Sequence, residues 1–579
     1  MNRKLIKNSK SHNKQKIIAF IMTMVLLFTC IPTINVFADD KNYDNGSNIK
    51  IEKVTKQQEN DLYKLCKVWG FVKYYHPKIA TGDVDWDDEL FRIMPKALTS
   101  KNDKEFNDII YEWINKLGDV KISEGQTPLD GKIVLKPDIK WIENKELLGD
   151  KLSDLLVKVS KSERNYKTHK YIDGNIEKGL FQGEKNYPNM KYTDDGYKLM
   201  SLFRCWNIVE YFFAYRDIMD RNWDDVLKEY IPKFIKCNNE ESYKLNVLEL
   251  MHNINDTHVM FNDDNNFLYN YFGKYMLPLK LDFIENKVVV TEVVKCIDSN
   301  PVVKQGDIIT KIDNKDISAL IKEKEKYLSY SRTKDNFSVV SEYILRSPKN
   351  KVQIEFKRGN ETLKDKLNCT EDFRAVKAPK DKFYKLNNDS IAYICPFSLE
   401  ENEVDKMMQD VKNTKGLIID LRYYPAFPVF MLYEYLLPKF DFPCNMISPN
   451  FKNPGEFIEY KTPPMNGKEN PNYYKGKVTI LVNKGCESKG EFTAMTLRTA
   501  PNSVIIGSNS GGVTGQFVYI PLPGVSISMS LMGACKADGT QTQRVGVKPD
   551  IGVNPTIKGI KEGRDEVLEK AIQVINESK

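Results

Sequence analysis

Histidine is scarce, with five residues in 579, and none of the ten cysteines stands in a CxxC pair. His76, His169 and His252 form no spaced set with carboxylates, so no metal site and no other cofactor is expected. A strong charge of one sign is missing as well. Arg3, Lys4, Lys7, Lys10, Lys14 and Lys16 crowd a leader without acidic residues and account for most of the surplus of 86 Lys and Arg over 79 Asp and Glu. The chain beyond them is near neutral and has no electrostatic footprint for nucleic acid. A second long hydrophobic run is also absent: after Ile17–Ile31 nothing approaches the length that spans a bilayer. With 41% hydrophobic and 11% aromatic residues, the sequence excludes a fibre or a disordered chain and is long enough for several globular domains.

Residues 1–38 read as a signal peptide, with a basic start, an apolar run, Pro32, and the small residues Val36 and Ala38 flanking Phe37 at the cleavage site. The alternative is an uncleaved anchor, since Ile17–Ala38 carries no charge; Pro32, Asn35 and the threonines within it disfavour a membrane span. The expectation is a secreted or cell-surface protein that touches the membrane only if this segment is retained. The odd number of cysteines after Cys30 leaves at least one thiol without an intramolecular partner.

An internal repeat organises the first half. An offset of 137 residues aligns Trp69 with Trp206, Tyr74 with Tyr211, and Trp86-Asp87-Asp88 with Trp223-Asp224-Asp225. Residues 62–120 and 199–257 therefore read as two copies of one helical unit. The copies part at their ends, Gly118-Asp119-Val120-Lys121 against Asn255-Asp256-Thr257-His258. His258 is either a solvent-facing histidine or chemistry added to a duplicated scaffold. Residues 121–198 read as a connecting layer, which together with the first copy makes a helical region over 39–198; the second copy occupies 199–275.

From Met276 the pattern turns to short β-rich runs, Leu279–Phe283, Val288–Val294 and Val352–Phe356, around Val303-Lys304-Gln305-Gly306-Asp307-Ile308-Ile309. The Gly-Asp turn entering an apolar strand resembles PDZ domains, which take up a peptide strand on an exposed sheet edge. The resemblance covers residues 278–372, and the alternative is a small β domain without a ligand. From Ile391 strands and helices alternate: strands at Ile391–Cys395, Gly416–Leu421, Val478–Val482 and Ser503–Ile506, with helices near Glu403–Val411, near Val429–Leu437 and from Gly490. That alternation predicts an α/β core with catalysis at strand ends. Residues 444–475, rich in Pro, Asn and Lys, read as a surface excursion.

After the strand Val478–Val482 comes Asn483-Lys484-Gly485-Cys486-Glu487-Ser488-Lys489-Gly490-Glu491. A serine at a strand-to-helix junction sits where free backbone N–H groups stabilise an oxyanion, or simply caps the helix. Gly485 lies one position too far from Ser488 for the elbow of α/β-hydrolases. Cys486, on the turn, reads as a packing residue.

Gly416-Leu417-Ile418-Ile419-Asp420-Leu421-Arg422, Ser488-Lys489-Gly490-Glu491 and Gly546-Val547-Lys548-Pro549-Asp550-Ile551, in this order behind a PDZ-like stretch, resemble the tail-specific, or C-terminal processing, serine peptidases. The resemblance implies a multidomain α+β protein: a duplicated helical N-terminal region, a PDZ-like β domain and a crotonase-like α/β peptidase core over 373–579. The position where the serine–lysine branch carries its lysine is Val513. The tricorn-like branch instead places a histidine directly after a small hydroxyl residue ahead of the PDZ domain, as Thr257-His258 does.

On that resemblance Ser488 is the nucleophile, His258 the general base, Thr257 a hydroxyl that sets the hydrogen bonding, and Gln543 the residue where a carboxylate orients the base. The backbone amides of Lys489 and Ala426 are the implied oxyanion donors. Two departures stand out: the glycine-rich loop is Tyr423-Tyr424-Pro425-Ala426-Phe427, and Gln543 carries no charge. Glu491 is read as capping its own helix. The implied activity is hydrolysis of unfolded or C-terminal peptide segments through an acyl-enzyme; the alternative is a pseudopeptidase that only binds peptides.

Overall fold

The computed structural model describes residues 43–123, 131–172, 180–263, 266–294, 301–331, 337–371, 383–386, 390–439, 443–461 and 469–578. The leader lies outside the described residues. Among the described residues no helix is long and apolar enough to cross a membrane.

The first half is built from three helices used twice. Lys56–Tyr75, Trp86–Ala97 and Asp103–Asn115 recur as Asp195–Phe212, Trp223–Lys236 and Glu240–His252. Caps recur in register: Asp85 and Asn222 accept from backbone amides of the second helices, and Asn102 and Asn239 from those of the third. Within the first copy Trp69 Nε1 donates to the Trp86 carbonyl at 3.0 Å and Trp86 Nε1 returns the bond to the Trp69 carbonyl at 2.9 Å. Trp206 and Trp223 repeat the exchange at 2.8 and 3.0 Å. Each indole is thus buried with its one donor satisfied, which locks the first two helices of each copy together.

Equivalent positions of the two copies meet each other, the signature of a pseudo-two-fold axis. Gly70 packs on Asn207, Tyr74 stacks edge-on against Tyr211 with ring centroids 5.5 Å apart, and the cations cross over. Lys67 binds Asp224 at 2.7 Å, while its counterpart Arg204 binds Asp87 at 2.6 Å. Asp87 also takes Lys73 at 2.7 Å, and Glu184 bonds to both Lys73 and Arg204 at 2.8 Å, closing a buried network of two cations and two anions. The segment expected to be a mere connecting layer therefore supplies a structural charge, Glu184, and the Lys145–Ser160 helix.

Three larger sheets follow. In the β domain, strands at Leu279–Ile284, Lys287–Val293, Ile308–Ile312, Lys351–Arg358 and Glu361–Asn368 form a sheet against helices Ile317–Glu325 and Phe337–Ile344. The core sheet runs Phe383–Leu386, Ile391–Ile394, Gly416–Asp420, Lys477–Val482, Ser503–Gly507, Ile551–Gly552, parallel after its first strand. Gly416–Asp420 is buried along its whole length, as a strand covered on both faces requires.

The third sheet corrects the surface excursion: Cys444–Pro449 and Phe457–Lys461 pair with each other, and the former pairs with Val525–Lys536. Cys444 and Ile447, and Phe457 and Ile458, are buried on opposite faces of their strands, so the polar composition hid two strands covered on both faces. Gln516–Leu522 closes that sheet on its other side. The helical region docks on this sheet: the Tyr215 hydroxyl donates to the Thr514 carbonyl at 2.8 Å and accepts from the Ala534 amide at 3.0 Å.

Candidate active site

Ser488 ends the turn after the Lys477–Val482 strand and immediately precedes the Lys489–Leu497 helix. Its backbone is at φ 49° and ψ −112°, a conformation that a serine adopts only under constraint. The constraint is visible: the Ser488 amide donates to the Val513 carbonyl at 2.7 Å and the Gly490 amide to Glu487 at 2.8 Å. An elbow-like strained serine is thus reached without the glycine spacing of α/β-hydrolases, and the Ser488 side chain does not cap its helix. Cys486 is fully buried beside it, and burial pushes its thiol well above the ordinary range.

The partner comes from the other half of the chain. The helix Glu240–His252 ends at Asn253, Asn255 turns the chain with φ 56°, and Asp256-Thr257-His258 follows. His258 Nε2 lies 3.1 Å from Ser488 Oγ, and its Nδ1 lies 2.8 Å from Ser530 Oγ. With the proton on Nδ1, the imidazole donates to Ser530 and accepts from Ser488. Asp256 is fully buried behind the ring, its Oδ1 3.9 Å from Nδ1. That carboxylate accepts from the His258 amide at 3.1 Å, the Ser530 amide at 2.9 Å and Gln543 Nε2 at 3.1 Å.

The structure redistributes the roles implied by the resemblance. Gln543 does not reach His258; it donates to Asp256 and to Ser331 Oγ, both at 3.1 Å, and accepts the Thr514 amide at 2.8 Å. Thr257 turns to the β domain, where its hydroxyl oxygen accepts the Ser331 amide at 3.0 Å while its own amide donates to Ser331 Oγ at 3.1 Å. Ala426 is corrected as an oxyanion donor: its amide is committed to the Pro396 carbonyl at 2.7 Å. The Lys489 amide opens the helix and so has no carbonyl one turn back to bond. The Lys489 ammonium lies over the Phe427 ring at 3.6 Å, and burial lowers its pKa. Glu491 ties down the loop beyond the nucleophile, accepting from the Ser510 hydroxyl and from the Gly512 and Val513 amides at 2.9 and 2.8 Å.

The electrostatics follow from burial. Desolvation lowers the His258 pKa below the usual histidine range, opposed by the Asp256 charge, so the ring is neutral at pH 7. Burial pushes Glu491 up to about 7 against its hydrogen bonds, and Glu487 up to about 8, reinforced by the nearby charges of Glu491 and Asp256.

Asp256, Ser530 and Ser331 escaped the sequence reading. Asp256 aligns with Asp119, an exposed partner of Lys158 in the first copy, and so passed for a repeat position. Ser530 had a signal, the alternation Ser526-Ile527-Ser528-Met529-Ser530 in a strand whose Ser528 and Ser530 are fully buried.

Residues 447–553, which include Ser488, match the sequence profile of peptidase family S41. The chain carries a peptidase family S41 domain. By that relationship it is a serine-type peptidase. No curated protein matches the sequence. Among solved structures it resembles mature CPAF in complex with lactacystin, at 12% identity and a TM-score of 0.51, covering 66% of this chain and 98% of that one. It also resembles mature CPAF alone, at 11% identity and a TM-score of 0.50, covering 66% of this chain and 96% of that one. At such identities the likeness establishes a shared fold over about two thirds of this chain, a mixed α+β architecture.

Proposed function

We propose that the chain is an exported serine endopeptidase that cleaves unfolded or C-terminal peptide segments through an acyl-enzyme on Ser488. The observation that carries the reading is the 3.1 Å contact between His258 Nε2 and Ser488 Oγ, residues from different units of the fold. Ser488 Oγ attacks the scissile carbonyl carbon as His258 Nε2 takes its proton, and the carbonyl oxygen becomes an oxyanion facing the Lys489 amide. The imidazolium then gives that proton to the leaving amine, and water, deprotonated by His258 in turn, releases the acyl group. Asp256 stabilises the imidazolium, in the place where Gln543 was expected to act. The leader over 1–38 takes the chain out of the cell, the crotonase-like core of 373–579 carries the nucleophile, and the PDZ-like domain over 278–372 captures chain ends.

A fluorophosphonate probe tests the reading by intact mass and peptide mapping. Labelling at Ser488 that vanishes in Ser488→Ala and His258→Ala is the expected result. An unlabelled but folded wild-type protein would overturn it in favour of a pseudopeptidase that binds peptides, the alternative favoured by the committed Ala426 amide and the glycine-poor Tyr423–Phe427 loop.

A further inference from the structure

The loop Tyr423–Phe427 and the turn that carries Ser488 issue from the same ends of two neighbouring parallel strands, Gly416–Asp420 and Lys477–Val482. The two segments touch: a Cβ placed on Gly490 would lie 3.6 Å from Pro425 Cδ. Phe430 ties them together, edge-on to Phe427 with centroids 6.3 Å apart and to Phe492 of the nucleophile's helix at 6.2 Å. The loop is thus packed against the helix that Ser488 precedes. Its rings are nonetheless left in water at the catalytic end of the sheet, Phe427 75% exposed and Tyr424 49%.

Both rings address one cation. The Lys489 ammonium lies 3.6 Å from the Phe427 centroid and 5.0 Å from that of Tyr424. Among the described residues it has no anionic partner, and desolvation without any neighbouring charge accounts for the downward direction of its pKa. Lys484, on the same turn, is by contrast held by Asp282. The negative charges of the site are committed elsewhere: Asp256 lies behind His258, Glu491 holds the loop beyond Ser488, and both are fully buried. An ammonium has three N–H donors, and a ring face attracts it less strongly than a carboxylate that accepts those donors. The rings also keep water from part of the ammonium, which strengthens any ion pair formed there.

We infer that Lys489 is a specificity determinant that pairs with a carboxylate of the substrate, so that bonds beside an acidic group are cut in preference. The reach follows from covalent geometry. The Lys489 amide faces the reacting carbonyl, and its Cα stands about 3.8 Å from that of Ser488, so the ammonium commands about one or two substrate residues next to the cleaved bond. The carboxylate is that of an Asp or Glu side chain or that of a chain end. This inference deepens the peptidase reading and rests on it for Ser488 as the reacting atom. It places a charge filter on the residue next to the nucleophile, apart from any capture of chain ends by the β domain.

The test uses the full chain and the rate of fluorophosphonate labelling at Ser488 in the presence of competing peptides. One pair is an acetylated, amidated alanine pentapeptide with aspartate at its centre and its asparagine counterpart. The other is acetylated penta-alanine ending in a free acid or in an amide. In one of the pairs the acidic member should compete about tenfold more strongly than the neutral one, and that pair names the source of the carboxylate. Lys489→Met should bring the ratio to about one, and Lys489→Glu should turn the preference towards a peptide with lysine at its centre. Each ratio is internal to one protein, so a change in the reactivity of Ser488 itself cancels. Equal competition by acidic and neutral peptides in both pairs, or a ratio that survives Lys489→Met, would overturn the inference. The peptidase reading fails separately, by absence of labelling at Ser488 in the wild type without competitor.

Discussion

Replacing Asp256 by Asn should disable the base while leaving the nucleophile in place. The carboxylate lies 3.9 Å from His258 Nδ1. At an effective dielectric of about 20, a unit pair at that distance is worth about 4 kcal/mol, which corresponds to roughly three powers of ten in rate if the imidazolium forms in the rate-limiting step. The rate of fluorophosphonate labelling at Ser488, followed by intact mass across a pH series, measures that loss without a known substrate. The sign of the pH effect is fixed. Asp256 favours protonated His258, so its removal moves the acid limb to lower pH even as the plateau falls. Glu487 and Glu491 face the same pocket of charge and remain in place. The asparagine amide also meets an N–H donor at Ser530 or Gln543, a buried mismatch costing about 1–3 kcal/mol of stability, so rates must be taken well below the melting transition. Ser530→Ala removes one neutral hydrogen bond and keeps the charge, and should slow labelling only about tenfold. A folded Asp256→Asn protein labelled within about threefold of wild type would refute the assignment of charge stabilisation to this residue.

Two further outcomes are expected. A Cβ at Gly70 would lie 1.8 Å from Asn207 Oδ1, so Gly70→Ala should lower stability by about 1–3 kcal/mol in a denaturant titration, and Asn207→Ala in the same chain should recover part of it; two additive losses would contradict the crossing. Glu487 titrates at about 8 rather than 4.5, so its stabilising contribution is complete below pH 4.5 and is lost as pH rises through about 8. Melting temperatures of wild type should therefore fall between pH 6.5 and pH 9 more steeply than those of Glu487→Gln.

The α/β alternation from Ile391 onward was legible because parallel strands buried on both faces are continuous apolar runs, as at Gly416–Asp420. The duplication was legible through Trp69, Trp86 and their counterparts, whose reciprocal indole bonds tolerate little substitution. The strands at Cys444–Pro449 and Phe457–Lys461 were not, because polar residues and Pro dominate the surrounding composition although the strands themselves are buried or half-buried, and a distant strand, Val525–Lys536, makes them necessary. The candidate nucleophile and base stood out as a junction serine and as a break in the repeat. Their support did not: Asp256, Ser530 and Ser331 converge from three units of the fold, and no spacing along the chain encodes that meeting. Gln543 was sought as a direct partner of His258 and instead secures the carboxylate behind it.

The long sequence interval between His258 and Ser488 has a consequence for the life of the polypeptide. During synthesis the helical repeats emerge first, the strained serine much later, and the strand bearing Ser530 later still. No nascent chain shorter than residue 530 holds the nucleophile, its base and the hydroxyl that fixes the base, so the chemistry described here is withheld until translation has passed that point. The same dependence makes the reactivity of Ser488 a gauge of completed assembly, since the helical region must close on the third sheet before the imidazole reaches the serine.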